Sequence, residues 1–204
     1  GMAIGQRLGE RLIIIGCDSQ VFCGVLAVRL THSDRDVDFF KQTIDQAKFE
    51  LLYRSAKSIE AATTTGTSMV TFRDLMQKGA AELSIARDRA PGADELRLVE
   101  LYAGAIGVYA DSLKLWNAQV ESSSQFTDGI LCQAGVPEIA LKYQLRCLNW
   151  DGIEYIPKDS LQYLWSLASC RLGQANAAYL GTALTDKQKE VAAYKEMIYS
   201  SELA

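Results

Sequence analysis

The chain has 204 residues, of which 49% are hydrophobic and 23% are charged, which is enough for a folded domain with a substantial core. Its 21 lysines and arginines and 25 aspartates and glutamates give a net charge of −4, without a long run of either sign. This balance argues against a general surface for nucleic acid or anionic lipid, so we expect no nucleic-acid partner.

Segment 12–30 is the most apolar stretch of the chain, and it has three interpretations. As a core element, its two β-branched runs around a polar turn would form a short N-terminal β-hairpin or a buried helix. As a membrane span, it carries Asp18 near its centre, where a charged group costs about 2.5 to 3.5 kcal/mol. As a lipoprotein leader, the residues before Cys17 resemble a lipidation site, although the apolar run is short. We expect segment 12–30 to pack inside the fold, with an anchor or leader as the alternative.

Alternating acidic residues follow at Asp34, Asp36 and Asp38, in the arrangement of the first three ligands of a calcium loop. The rest of that pattern is missing, because Phe39 replaces the glycine of the sharp turn and Asp45 replaces the closing glutamate. We therefore predict an acidic helix cap here rather than a metal site. No motif in the sequence indicates a cofactor, and we expect none.

Apolar residues at helical spacing predict three helices in the next part of the chain. The first covers 36–62 and ends at a threonine-rich break over 63–68. The second ends at Pro91 and Gly92, which interrupt the pattern. The third covers 94–120, and because apolar residues lie on more than one of its faces, we expect it to be the central helix of the fold.

After a polar break at 121–127, the predicted elements become shorter. A helix is expected from Pro137 to Trp150, followed by a turn over 151–152 and a short extended stretch over 153–156. The rest of the chain is predicted to form three further helical segments, at 159–172, 175–184 and 185–200.

Together these patterns predict an all-α fold of antiparallel helical hairpins, a bundle around the long central helix, with the short N-terminal β-hairpin as an optional addition. We expect residues 1–204 to form a single helical domain. A soft subdivision near 121–127 would separate a long-helix part, 1–120, from a shorter-helix part, 128–204.

The five cysteines form no metal or redox motif, because no two of them have the C-x-x-C spacing. Cys147 and Cys170 lie in apolar helical patterns, which predicts buried thiols that act as small hydrophobic residues. In an oxidising compartment the alternative is a bridge from Cys147 to Cys132 or to Cys170, and the sequence leaves that choice open.

The scarcity of histidine excludes several classes of enzyme. His32 is the single histidine, so one chain cannot build a multi-histidine zinc site or the paired Glu-x-x-His motifs of a di-iron bundle. The serine-hydrolase motif G-x-S-x-G is also absent. The sequence thus predicts a non-enzymatic helical interaction or scaffold protein, with a protein or peptide partner bound along an apolar helical face.

A small-molecule-binding protein or atypical enzyme is the alternative function. Its ligand-binding site would lie on the long central helix, where Tyr102, Tyr109 and Trp116 line a pocket and Asp111 supplies a polar partner.

The second alternative is an envelope protein that associates with the membrane through residues 12–30 or through lipid attached to Cys17. We expect a cytoplasmic location, whereas this alternative would place the protein in the cell envelope, anchored at its N-terminus.

Overall fold

The structure is a computed structural model, and it describes residues 44–123 and 129–182. Three long helices come first, namely α1 (Gln46–Thr65), α2 (Met69–Asp88) and α3 (Ala93–Ser122). The elements that follow are β1 (Gly129–Leu131), α4 (Val136–Lys142), β2 (Leu148–Trp150), β3 (Ile153–Pro157) and α5 (Ser160–Leu180). The fold is a mostly helical bundle with a small sheet, which confirms the predicted fold class.

Several predictions concern residues outside the described ranges. They are the N-terminal β-hairpin over 12–30, lipidation of Cys17, the acidic residues Asp34, Asp36 and Asp38, and the last helical segment over 185–200.

Side-chain caps define where α1 and α2 begin. The Asp45 carboxylate accepts a hydrogen bond from the Ala47 amide at 3.2 Å, and the Ser68 hydroxyl accepts one from the Thr71 amide at 3.1 Å. Each cap satisfies an amide that has no partner within the helix, so both helices begin immediately after a residue suited to capping.

The first helix was predicted over 36–62, and both of its ends differ in the structure. Residues 44 and 45 are not helical, because Asp45 is the extended N-cap and α1 begins at Gln46. At its other end, α1 continues into the threonine-rich stretch. The hydroxyls of Thr64 and Thr65 donate to carbonyls one turn earlier, at 2.9 and 2.8 Å, so these residues are satisfied inside the helix. The break begins instead at Gly66, which has a φ of +89° that favours glycine.

Helix α3 is the central helix, as predicted. Its 30 residues correspond to a length of about 45 Å, and it contacts α2, α4, α5 and β1. Its largest fully buried side chains are Leu98, Tyr102, Tyr109 and Leu115. Because neighbours cover it on several sides, most of its faces are apolar, which explains the two apolar stripes in its sequence.

The region predicted as one helix from Pro137 to Trp150 is instead a short helix, a loop and a strand. Helix α4 ends at Lys142, and 148–150 forms β2, which pairs antiparallel with β3. The turn between the strands was predicted correctly. Asp151 and Gly152 have φ values of 52° and 82°, the pair of positive angles that a two-residue type I′ hairpin turn requires.

The sheet has the strand order β1-β3-β2 and presents two different faces. The cross-strand pair Ile130 and Ile156 is fully buried in the main core. On the opposite face, Leu131 and Leu148 both lie opposite Tyr155, and the three form a separate small cluster. The sheet therefore carries apolar side chains on both of its faces where these residues pair.

Helix α5 joins two segments that were predicted to be separate. It passes through Gly173 without interruption and ends at Gly181, whose left-handed φ of 64° is typical of a helix C-cap. The buried residues Leu172 and Ala175 lie on either side of Gly173. Core contacts on both sides offset the helix penalty of an internal glycine, which is about 1 kcal/mol.

Candidate functional site

A disulfide between Cys132 and Cys147 closes a loop with a sequence separation of 15. Cys132 directly follows β1 and Cys147 directly precedes β2, so the bond joins the two strands that flank β3. We call residues 132–147, which include α4, the α4 loop.

The prediction that Cys147 is a buried helical thiol is wrong, since Cys147 is exposed and lies outside any helix. Cys170 is buried in α5, as expected.

The α4 loop is anchored by its own apolar side chains. The chain turns sharply after Cys132, where Ala134 and Gly135 both have positive φ angles, and α4 then begins with Pro137 in its first turn. The residues that it buries are Val136, Ile139, Ala140, Tyr143 and Leu145. Leu141 points the other way and is 82% exposed.

Asp111 of α3 is the polar anchor of the α4 loop. It is only 6% exposed, and its Oδ2 accepts from Lys142 Nζ at 2.7 Å and from the Tyr143 hydroxyl at 2.9 Å. Its Oδ1 accepts from Lys114 Nζ, one turn along α3, at 2.9 Å. Three donors thus converge on one buried carboxylate, which satisfies the rule that a buried charge must be paired.

These contacts determine the ionisation of Asp111 and Tyr143. Burial alone would raise the pKa of Asp111, but hydrogen bonds from Lys142, Lys114 and Tyr143 outweigh it, and the net pKa lies below its usual value. Burial and the adjacent negative charge raise the pKa of Tyr143 far above its usual value. At neutral pH the carboxylate is therefore charged and the phenol is protonated.

Lys114 and Lys142 place two positive charges on the single carboxylate of Asp111. Two ammonium groups share one carboxylate, and their side chains are 51% exposed for Lys142 and 68% exposed for Lys114. Arg171 of α5 lies close enough to Tyr143 for its positive charge to offset part of the rise in the pKa of that phenol. Both ammonium groups thus reach solvent, while the carboxylate that they share is buried beneath them.

The aromatic residues predicted to share a pocket with Asp111 lie on another side of α3. Tyr102, Tyr109 and Trp116 recur at intervals of seven residues, close to two helical turns, so they form one stripe. Asp111 lies about half a turn away around the helix. The three aromatic side chains therefore share one face of α3, and Asp111 lies on a different face.

Tyr102 joins α3 to α5 deep in the core. Its hydroxyl donates to Asn176 Oδ1 at 3.0 Å, and its side chain is fully buried. Burial, reinforced by the neighbouring Tyr179 and Tyr53, raises its pKa far above the usual value, so it stays a neutral donor.

Replacing Tyr102 by phenylalanine is expected to lower the free energy of unfolding by about 1 kcal/mol, the usual net contribution of one hydrogen bond. The ring remains in place, so the loss reports the bond to Asn176 rather than a cavity. Urea unfolding of the two proteins measures it. An unchanged midpoint would show that water satisfies Asn176 equally well.

Tyr109 and Trp116 belong to a cluster of four aromatic rings. Phe72 of α2 lies 6.3 Å from Tyr109 and 6.0 Å from Trp116, and Trp165 of α5 lies 5.6 Å from Trp116. The indole of Trp165 donates to Ser112 Oγ at 3.0 Å. These are the separations of rings that pack against one another, and they stabilise the contact between three helices.

Sequence reasoning did not identify Phe72 and Trp165 as members of this cluster. Each lies on a different helix from Tyr109 and Trp116. Which stripes meet depends on how the helices pack, and no local pattern in the sequence encodes that.

Within residues 44–123 and 129–182, no group of three or more histidine, cysteine, aspartate or glutamate side chains could hold a metal ion. The helices in the same ranges include none that is both long and apolar enough to cross a membrane.

The sequence matches no family model and no curated protein, and the fold matches no solved structure.

Proposed function

We propose that the protein is a non-catalytic interaction protein that contacts a protein or peptide partner through the α4 loop. The observation that carries this proposal is the exposure of Leu141 on a segment that is fixed on both sides. The disulfide joins the two ends of the loop, at Cys132 before Leu141 and at Cys147 after it. Lys142, directly after Leu141, also bonds to the buried Asp111. The backbone of a pre-organised segment loses little conformational freedom when its exposed side chain binds a partner.

The ionisation of the cluster supports a binding role over a catalytic one. A general acid or base works best when its pKa is near the working pH. The pKa of Asp111 is lowered and that of Tyr143 is raised, so both move away from neutrality. The charged carboxylate of Asp111 bonds to two ammonium groups, and the protonated Tyr143 hydroxyl donates to the same carboxylate.

The proposal is tested by placing a photo-crosslinking residue at position 141 of the full chain in the cells that produce it. The matched control carries the same residue at Leu51, a leucine on α1 that is 57% exposed. We expect one discrete adduct with a second polypeptide from position 141 and none from position 51. Absence of an adduct at 141, or the same adducts at both positions, would contradict the proposal.

We also propose that the protein works in an oxidising compartment, as the cell-envelope alternative requires. Disulfides are rare where cellular thiol systems keep cysteines reduced, and the exposed Cys147 would be open to those systems. The sequence before Cys17 offers a means of attachment to the envelope.

Fractionation of the native protein, intact mass and thiol alkylation of unbroken cells test this location. We expect protein in the envelope fraction with Cys132 and Cys147 protected from alkylation until a reductant is added. Added lipid mass at Cys17 would identify the attachment. Soluble protein whose Cys132 and Cys147 are alkylated without reductant would contradict an oxidising location.

A further inference from the structure

We propose that the partner presents an acidic side chain beside an apolar one. The apolar group packs on Leu141, and the carboxylate binds the ammonium groups of Lys114 and Lys142. This inference rests on the proposed function and specifies the chemistry of the partner segment.

Two lysines share the charge of one aspartate. Lys114 and Lys142 each bond to a different oxygen of Asp111, so the two ammonium groups are held side by side by one carboxylate. That carboxylate is buried, whereas both lysine side chains are at least half exposed. An ammonium group has three N–H donors, so each lysine can bond to Asp111 and to an incoming anion together. A partner therefore meets two exposed ammonium groups that share one buried carboxylate.

The shared carboxylate pre-organises both lysines. A free lysine loses much rotamer freedom when it is fixed in an ion pair, which is why isolated surface ion pairs contribute little. Here Asp111 has already ordered both side chains, and the Tyr143 hydroxyl holds the carboxylate in position. An incoming carboxylate would consequently bind two donors whose positions are already set.

Leu141 distinguishes a peptide ligand from a small free anion. Leu141 directly precedes Lys142 and is almost fully exposed, so an apolar contact and a cation adjoin on the same loop. An inorganic anion would use the lysines alone. A peptide that carries aspartate or glutamate beside leucine would use both features, and this is the complementary chemistry.

The test uses two short synthetic peptides, one alternating leucine with aspartate and the other alternating leucine with asparagine, together with inorganic phosphate. Binding is followed on the full chain by the NMR signals of the Leu141 methyl groups and the Lys142 amide. We expect the aspartate peptide to move both signals and to bind about tenfold more tightly than the asparagine peptide. Added salt should reduce this preference, since it screens exposed charges.

Two lysine variants provide the matched comparison. Lys114→Gln removes one exposed ammonium that pairs with a carboxylate three residues earlier, and Lys57→Gln removes a similarly exposed ammonium that pairs with Glu60, three residues later on α1. We expect Lys114→Gln to lose most of the preference for the aspartate peptide and Lys57→Gln to retain it. Equal effects of the two variants would overturn the assignment of the site.

The remaining outcomes distinguish this inference from the proposed function. Equal binding of both peptides would overturn recognition of an acidic peptide. So would a shift of the Lys142 amide signal that phosphate causes and neither peptide causes. If Leu141 crosslinks to a partner in cells while neither peptide binds, the proposed function survives and this inference fails. If position 141 gives no adduct and neither peptide binds, both fail.

Discussion

Replacing both Cys132 and Cys147 by serine is expected to lower the free energy of unfolding by about 3 kcal/mol, the value for a closed loop of this size. The bond restricts the unfolded chain by joining the segments after β1 and before β2, and its loss frees that chain. Cys147 is exposed and Cys132 is half-buried, so serine at these positions leaves no large cavity. Urea unfolding under non-reducing conditions measures the difference.

The same measurement with a reductant provides the control, because the two proteins should then unfold at nearly the same urea concentration. A difference that persists after reduction would mean that the cysteine side chains stabilise the fold through packing instead. Equal stability without reductant would contradict a stabilising disulfide.

Replacing Asp111 by alanine is expected to lower the free energy of unfolding by about 2 kcal/mol near neutral pH. The hydrogen bond from the Tyr143 hydroxyl to Asp111 is lost, and removing one partner of a buried hydrogen bond costs about 1 to 3 kcal/mol. Lys114 and Lys142 add less than a fully buried partner would, since their exposed ammonium groups can turn toward water. Calorimetry or urea unfolding measures the loss, with Asp74→Ala on the exposed side of α2 as the control.

The effect of Asp111 should also depend on pH. Its pKa is lowered in the folded protein, so the unfolded chain takes up the proton first as the solution is acidified. The stabilisation is present above the unfolded value of about 3.9 and is lost as the pH falls through the folded value. The gap in stability between the natural chain and Asp111→Asn should therefore narrow on acidification. A gap that stays constant or widens would contradict the ion pair.

The sequence predicted the first three helices well because each is long and strongly periodic. It failed where the decisive contact is distant in the chain. The apolar pattern up to Trp150 continues that of α4, but 148–150 pairs with β3, and β3 is itself fixed by β1. For residues 148–150, pairing with β3 outweighed the local helical pattern.

The candidate site was predicted only in part, for the same physical reason. Asp111 was identified as a polar group on an apolar helix, but it was assigned to the aromatic stripe. Its actual partners Lys142 and Tyr143 lie 31 and 32 residues further along the chain, in a segment expected to remain helical. The choice between two disulfides was likewise open, because it depends on the sheet that brings the ends of β1 and β2 together.

The three tryptophans divide the molecule into two optically distinct parts. Trp116 and Trp165 meet edge to face between α3 and α5, whereas Trp150 lies at the exposed tip of the hairpin. Trp116 and Trp165 are partly buried, whereas Trp150 is 58% exposed. The more exposed indole emits at longer wavelength, and a dissolved quencher reaches it more easily. Intrinsic fluorescence can therefore follow the hairpin next to the α4 loop separately from the helical core, without any added label.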